Sequence, residues 1–330
     1  MRRGNFTMVK LVIDMMGGDN GSKATIEAVN RFLDEIKDCE IIAVGDEKEL
    51  ESLKDKVTIV PSKTIVPMEC SALQAMRMKD SSIYLAVNKA KELGADGIVS
   101  AGSTSAFLSL ATLICKKIEG IDRPALISPF VTKVEGKYAV LLDCGASNEN
   151  TAQELVQFAK MGKAYYTAIY GKEHPNVYLA SNGSEEGKGS PVGKEAYELM
   201  KGMDGFEGNV EARYVLDGTR DVVVFDGYTG NIFLKASEGM AKMMSGMIKD
   251  AFKSSGKAKI GYLFAKKGFE QFKNKMDYKK VGGAFLIGVN TIPVKAHGNA
   301  TGESFYYSMK IAYNLAKKDI VNQVKENLKK

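Results

Sequence analysis

The chain has 330 residues, long enough for two ordinary domains or for one α/β unit with two lobes. With 45% apolar and 26% charged residues it reads as a globular protein, and its four scattered cysteines, without a C-x-x-C pair, read as reduced thiols of a cytosolic protein. Two histidines exclude a His-rich metal site, and the net charge of +6 lies in one segment: 241–280 carries eleven lysines against three acids, leaving the remainder slightly acidic.

Residues 1–7 read as an N-terminal extension, basic but followed by too short an apolar run for a secretory leader. "KLVID" is the first strand; it ends on Asp14, and Gly17, Gly18 and Asp19 precede the helix "KATIEAVNRFLDEI". Strands "EIIAVG" and "VTIVP" follow, then helix "SSIYLAVNKAKEL", strand "GIVSAG" and helix "AFLSLATLICKKI". The uncharged run from Gly97 to Cys115 is long enough to span a membrane. It holds Gly102 and six Ser or Thr residues, however, and reads as buried strand, turn and helix. "YAVLLDCG" ends near Asp143, and Thr151 and Glu154 form a capping box for "AQELVQFAKMGKAYYTAIY". Strands "NVYLASNG" and "DVVVFDG" come next. Continuous apolar strands alternating with helices predict a three-layer α/β/α fold on a mostly parallel sheet, with two lobes interleaved in sequence.

Six strand ends finish on a small or polar residue beside a glycine: Asp14, Ser100-Ala101-Gly102, Asp143-Cys144-Gly145, Asn182-Gly183, Asp226-Gly227 and His297-Gly298. Ligands of open α/β sheets bind outside the carboxyl ends of strands, so the six predict one large cleft. Gly102-Ser103-Thr104-Ser105, between strand and helix, is the best anion site. Asp14 and Asp19 would repel a phosphate; they suit orienting a cation or accepting bonds from a neighbouring loop, and Asp19 or Asn20 equally suits a helix cap. Lys188 lies between Gly187 and Gly189, where bare neighbours let it approach an anion or simply leave it solvated. Arg213 offers a planar fork to phosphate or carboxylate. Asp226, Thr229, Asn231 and Lys235 share one strand-helix junction, and His297 precedes a glycine, either as a structural or as a catalytic residue. No G-x-G-x-x-G follows a strand, and neither a G-x-S-x-G elbow nor zinc spacing occurs. Chemistry without a cofactor, by positioning and electrostatics, is the expectation.

Met240, Met243, Met244, Met247, Ile248, Ala251 and Phe252 repeat at helical spacing, which suits a core face. From Ser254 to Lys267 the mixture of Gly, Lys and apolar residues suits an exposed amphipathic tip instead. There Lys257, Lys259, Leu263, Phe264, Lys266 and Lys267 fit either an anionic lipid surface or an acidic carrier protein. Nucleic acid is disfavoured, because the charge is confined to this segment and no RNA-binding aromatic motif accompanies it.

In this order the loops resemble those of the bacterial phosphate acyltransferase family, the phosphate:acyl-carrier-protein acyltransferases of phospholipid synthesis. The matching pieces are "IDMMGGDNG", "VSAGSTSAF", "GIDRPAL", "LLDCGASNENTAQELVQFAKMG", "GNVEAR", "DVVVFDGYTGNIFLK", "YKKVGGAFLIGV" and "VKAHG", spread over nearly the whole chain. Ser103 stands where the family usually has Asn, and "DCGASNE" and "LASNGSEEGKG" are looser variants, which bears on the donors around phosphate.

The resemblance implies a fold akin to isocitrate and isopropylmalate dehydrogenases and to phosphotransacetylase, in a homodimer. The implied reaction moves a long-chain acyl group from acyl carrier protein to inorganic phosphate. The acyl phosphate would feed an acylphosphate:glycerol-3-phosphate acyltransferase, which implies a cytoplasmic protein with a peripheral contact at the inner face of the membrane. Residues 8–330 would form one unit, with lobes 8–105 plus 285–330, and 106–284. Gly102, Ser103, Thr104, Asn231 and Lys235 would hold phosphate, Lys188 and Arg213 would face phosphate or oxyanion, and His297 would protonate the leaving thiolate. Asp14 or Asp226 would orient the cations, with Gly17, Gly18, Asp19 and Asp143 in support. Two alternatives are a phosphotransacetylase-like enzyme using acyl-CoA and a catalytically inactive membrane-binding scaffold.

Overall fold

A computed structural model of the chain describes residues 8–276 and 284–329, without the side chains of 270–276. The extension 1–7, the "YKKVGG" piece, and the side chains of Phe272 and the lysines from 273 to 280 lie outside the described residues.

Strands β1 (Val9–Asp14), β2 (Cys39–Gly45), β3 (Thr58–Pro61), β4 (Gly97–Ser100) and β11 (Ile292–Lys295) form one parallel block, ordered β3-β2-β1-β4-β11. A second parallel block runs β6 (Tyr138–Leu142), β9 (Val222–Val224), β7 (Val177–Ser181) and β8 (Phe206–Glu211). Antiparallel β10 (Ala284–Ile287) and β5 (Ala125–Val131) join the blocks into one eleven-stranded sheet. The sheet is therefore mostly parallel, as expected. Three strands were not evident in sequence, and each has a reason. β5 carries Pro129, β8 is polar and bends at Gly208 (φ 99°), and β10 is only four residues long.

Alternate residues of each strand enter opposite cores. Leu11 and Ile13 pack with α1 (Gly21–Glu35), whereas Val12 packs with α3 (Ser82–Glu92). In the same way Val222 and Val224 face α5 (Ala152–Tyr170), and Val223 faces away. The first core also takes α6 (Pro191–Met200), α9 (Gly302–Lys317) and α10 (Ile320–Leu328); the second takes α4 (Thr104–Leu110), while α2 (Ala72–Arg77) lies beside α4. Burial on both faces is what continuous apolar strands require. The capping box forms as expected: the Thr151 side chain accepts from the Glu154 amide, and Gly171 closes α5 in the left-handed region (φ 72°).

Helices α7 (Gly227–Lys253) and α8 (Gly256–Met276) form a hairpin held by Phe252 against Phe269 (4.5 Å between ring centroids) and Tyr262. The methionine stripe is not a core face in this chain: Met240, Met243, Met244 and Met247 are all exposed. Among the described residues no helix is long and apolar enough to cross a membrane.

Candidate active site

Three loops meet at the ends of β1, β4 and β11. Asp14, fully buried, accepts from the Ser100 hydroxyl at 2.6 Å and from the Met16 amide at 3.2 Å. The Gly102 amide in turn donates to Ser100 Oγ at 3.0 Å. Side chains at two positions would wreck this packing. A Cβ on Gly17 would stand 2.6 Å from both Asp14 Oδ2 and the Gly102 amide; one on Gly18 would stand 2.7 Å from the Gly298 carbonyl. The loop after β1 closes on the loop after β11: the Asp19 amide donates to Gly298 O (2.7 Å), and Asn20 Nδ2 donates to Ala300 O (2.9 Å). Burial pushes the Asp14 carboxyl up, against the hydrogen bonds that favour its charged form.

A second knot forms where β6 meets α7. Asp143, buried, accepts from the amides of Leu126, Gly145, Ala146 and Ser147 and from the Ser147 hydroxyl, all within 3.0 Å. Its oxygens are thus committed to holding loops, while burial raises its carboxyl. Asp226 caps α7 by accepting from the Thr229 amide at 2.9 Å. Gly230 packs so tightly that a Cβ would fall 1.9 Å from the Asp143 carbonyl oxygen. This clamp sets the first turns of α7, and with them Asn231 and Lys235.

Between the two knots lies a cavity of about 710 Å³. Thr104, Asn231, Lys235 and His297 line it, as do Lys295 and Glu238. Ser103 is buried beside it, its hydroxyl donating to the Met68 carbonyl at 3.0 Å. Lys188 and Arg213 are exposed and do not line the cavity; Arg213 pairs with Glu211 at 2.7 Å and lies over Tyr214. Leu216, three residues past Arg213, does reach the wall. Of the six glycine-flanked strand ends, the one at Asn182-Gly183 is absent from the lining and from both knots.

Sequence reasoning missed Glu238 and Lys295. Glu238 accepts from Lys235 Nζ at 2.9 Å and faces His297 Nε2 at 3.8 Å, so one carboxylate serves two cavity residues. The signal was available, since Glu238 lies one helical turn beyond Lys235. Lys295 is 8% exposed at the end of β11. Its ammonium donates to the carbonyls of Ala101 (3.3 Å) and Ala296. Burial brings this lysine down to about 8, against the attraction of Asp14. Burying an ammonium costs several kcal/mol, so its place in a cavity wall calls for a reason.

On the hairpin, Leu263 and Phe264 are 71% and 89% exposed, with Lys257, Lys259, Lys266 and Lys267 on the same helix.

The profile of the family described as "Fatty acid synthesis protein" matches residues 9–323. Phosphate acyltransferases of Staphylococcus aureus, from strains MRSA252 and Newman among others, are 40% identical over 324 residues, covering 97% of this chain and 98% of theirs. A phosphotransacetylase from Streptococcus pyogenes shares the fold at a TM-score of 0.61 and 20% identity, over 96% of this chain and 93% of that one. A branched-chain phosphotransacylase from Enterococcus faecalis V583 gives 0.57 at 15% identity, over 94% and 99%. A 4-hydroxythreonine-4-phosphate dehydrogenase from Klebsiella pneumoniae gives 0.52 at 14%, again over 94% and 99%. The α/β fold is thus one that phosphotransacylases share with dehydrogenases. With nearly its whole length matched by the family profile and by relatives at 40% identity, the chain belongs to the phosphate acyltransferase family and is an acyltransferase whose acceptor is phosphate.

Proposed function

We propose that the enzyme transfers a long-chain acyl group from acyl carrier protein to inorganic phosphate, giving an acyl phosphate for phospholipid synthesis. The observation that supports this most is the cavity that Lys235, His297, Thr104 and Asn231 line together. Phosphate is already an anionic nucleophile and a thiol leaves easily, so the protein has to hold the two reactants together and stabilise the oxyanion. Lys235 and Thr104 hold phosphate beside the thioester carbonyl, and a phosphate oxygen attacks the carbonyl carbon. The carbon–sulfur bond of the tetrahedral intermediate then breaks. The proton that hydrogen phosphate gives up passes to the thiolate by way of His297, whose ring Glu238 orients. Arg213, three residues before Leu216 of the cavity wall, is assigned to the rim, where it meets the carrier's phosphopantetheine or the entering phosphate, and Lys188 is given no role in the step.

The exposed methionine stripe of α7 is the face on which a second copy of the chain packs, giving the homodimer. Leu263 and Phe264 at the hairpin tip insert into an anionic lipid surface, each neighbouring lysine adding roughly 1 kcal/mol. Delivery to a membrane suits a water-insoluble product.

The deciding experiment measures thiol release from palmitoyl-ACP with and without phosphate, trapping product as the hydroxamate. Phosphate-dependent release with a trappable acyl phosphate is the expected result. Equal or faster release from palmitoyl-CoA would make acyl-CoA the donor, and no release from either thioester would leave a scaffold.

A further inference from the structure

We propose that Lys295 is a catalytic residue of this transfer: its ammonium, at the buried wall of the cavity, contacts the phosphate as it attacks. The inference rests on the reading of the cavity as the site of acyl transfer to phosphate, and it adds a residue for which that reading had no role.

Three observations carry it. Lys295 ends β11 beside Ser100 of β4, its pairing partner, so the strand register itself delivers the side chain to the loop of Ala101, Gly102, Ser103 and Thr104. The side chain is buried, yet the residue forms part of the cavity wall. Its hydrogen bonds run to two backbone carbonyls, Ala101 and Ala296, whereas an ammonium has three donors. The third donor is left for whatever fills the cavity.

The charged groups around it complete the argument. Asp14 of β1 and Asp19 of the following loop attract its charge, while Lys235 of α7 repels it. Asp14 is taken up by Ser100 and backbone amides, and Glu238 faces Lys235 and His297, two residues further along the chain. Two lysines therefore share one wall without a carboxylate dedicated to the deeper of them. An anion in the cavity is what the deeper one lacks, since Lys235 already has Glu238. Burial holds Lys295 near 8, and a phosphate dianion brought beside it favours the protonated form, so near and above pH 8 phosphate binding draws a proton onto this lysine from solvent. Phosphate affinity should then fall as pH rises past about 8.

The test combines kinetics with thermal melts of the full chain, using inorganic phosphate as the probe. Lys295→Met is expected to lower kcat/KM for phosphate by about 100-fold or more, with the KM for the thioester nearly unchanged. It should also abolish the rise in melting temperature that phosphate gives the parent. Without phosphate it should melt no lower than the parent, since an unneutralised buried charge has been removed; a purely structural lysine would behave in the opposite way. Lys295→Arg should recover part of the activity and flatten the loss of phosphate affinity at alkaline pH. If Lys295→Arg does not fold, the melts of Lys295→Met still decide.

A Lys295→Met enzyme with phosphate KM and phosphate-induced stabilisation within threefold of the parent would overturn the inference. So would a melting temperature below the parent's together with an unchanged phosphate KM. These outcomes are separable from failure of the underlying function, because that failure would show as an inactive parent enzyme, and phosphate stabilisation would still be measurable on it.

Discussion

Asp14 and Asp143 are two of the acids that the glycine-flanked strand ends drew attention to, and both turn out to spend their oxygens on neighbouring loops. The carboxylate with chemical reach is Glu238, between Lys235 and His297. Glu238→Gln removes the carboxylate that Lys235 and His297 share, so kcat should drop by roughly tenfold with little change in thioester KM. Steady-state kinetics check this, and an unchanged kcat counts against the proton-transfer role. Lys295 gives a second prediction, about stability. The folded chain holds it near 8 and an ordinary lysine sits at 10.5, so the folded state binds fewer protons between those values. Its burial costs stability in full below about pH 8, and the cost is released as pH rises towards 10.5. Lys295→Met is therefore more stable than the parent at pH 7, by at most about 3 kcal/mol, and the gain fades above pH 10. Urea titrations at the two pH values measure it; a gain independent of pH would refute the account.

The element that does most for the site is α7. Its N-cap Asp226, the tight seat of Gly230 on the Asp143 loop, and the periodicity of the helix together aim Asn231, Lys235 and Glu238 into one cavity. Loss of the cap in Asp226→Ala should cost about 1 kcal/mol. Gly230→Ala should cost more, roughly 3 kcal/mol, because the new methyl meets a carbonyl with no space to yield. Calorimetric melts rank the two, and a Gly230→Ala protein that melts with the parent would mean the helix start is looser than its packing. At this scale the sequence was readable where pattern and burial agree. β1, β2 and β9 carry apolar runs at residues 11–13, 41–44 and 222–224, and α5 announces itself by its capping box. β5 and β8 were not readable, because Pro129 and Gly208 interrupt them and β8 is largely polar. The methionine stripe was readable as a helix face, but spacing says nothing of what covers it.

For the molecule as a whole, the α7–α8 hairpin exposes a run of large apolar side chains, Met240, Met243, Met244, Met247, Leu263 and Phe264 among them. The proposed dimer should fall to monomers in light scattering when Met243 and Met247 are replaced by lysine, and an unchanged mass would count against this face as the contact. Leu263→Glu with Phe264→Glu should abolish flotation with anionic liposomes while leaving activity on soluble thioester within twofold. Retained flotation together with lost carrier binding would assign the tip to the acidic carrier. Ionic strength offers a further check, since attraction between lysines and anionic lipid weakens as the Debye length shortens.

The α/β fold and membership of the family were determined by the sequence alone, since both reside in patterns that are local or contiguous: apolar runs, helical periods and short loop motifs in a fixed order. The glycine-flanked loops after β1, β4 and β6 were legible in the same way. Which of them share a cavity was decided only by the tertiary structure. Lys295 reaches the β4 loop because β11 pairs beside β4 across nearly two hundred residues, and Glu238 reaches His297 because the Asp143 knot seats α7. Likewise Lys188, as chemically apt as Lys235, stands outside the cavity wall because β7 lies towards the far edge of the sheet, and Arg213 because its fork is turned to Glu211. Proximity between distant segments is a property of strand pairing, and charge and burial at a site follow from that proximity.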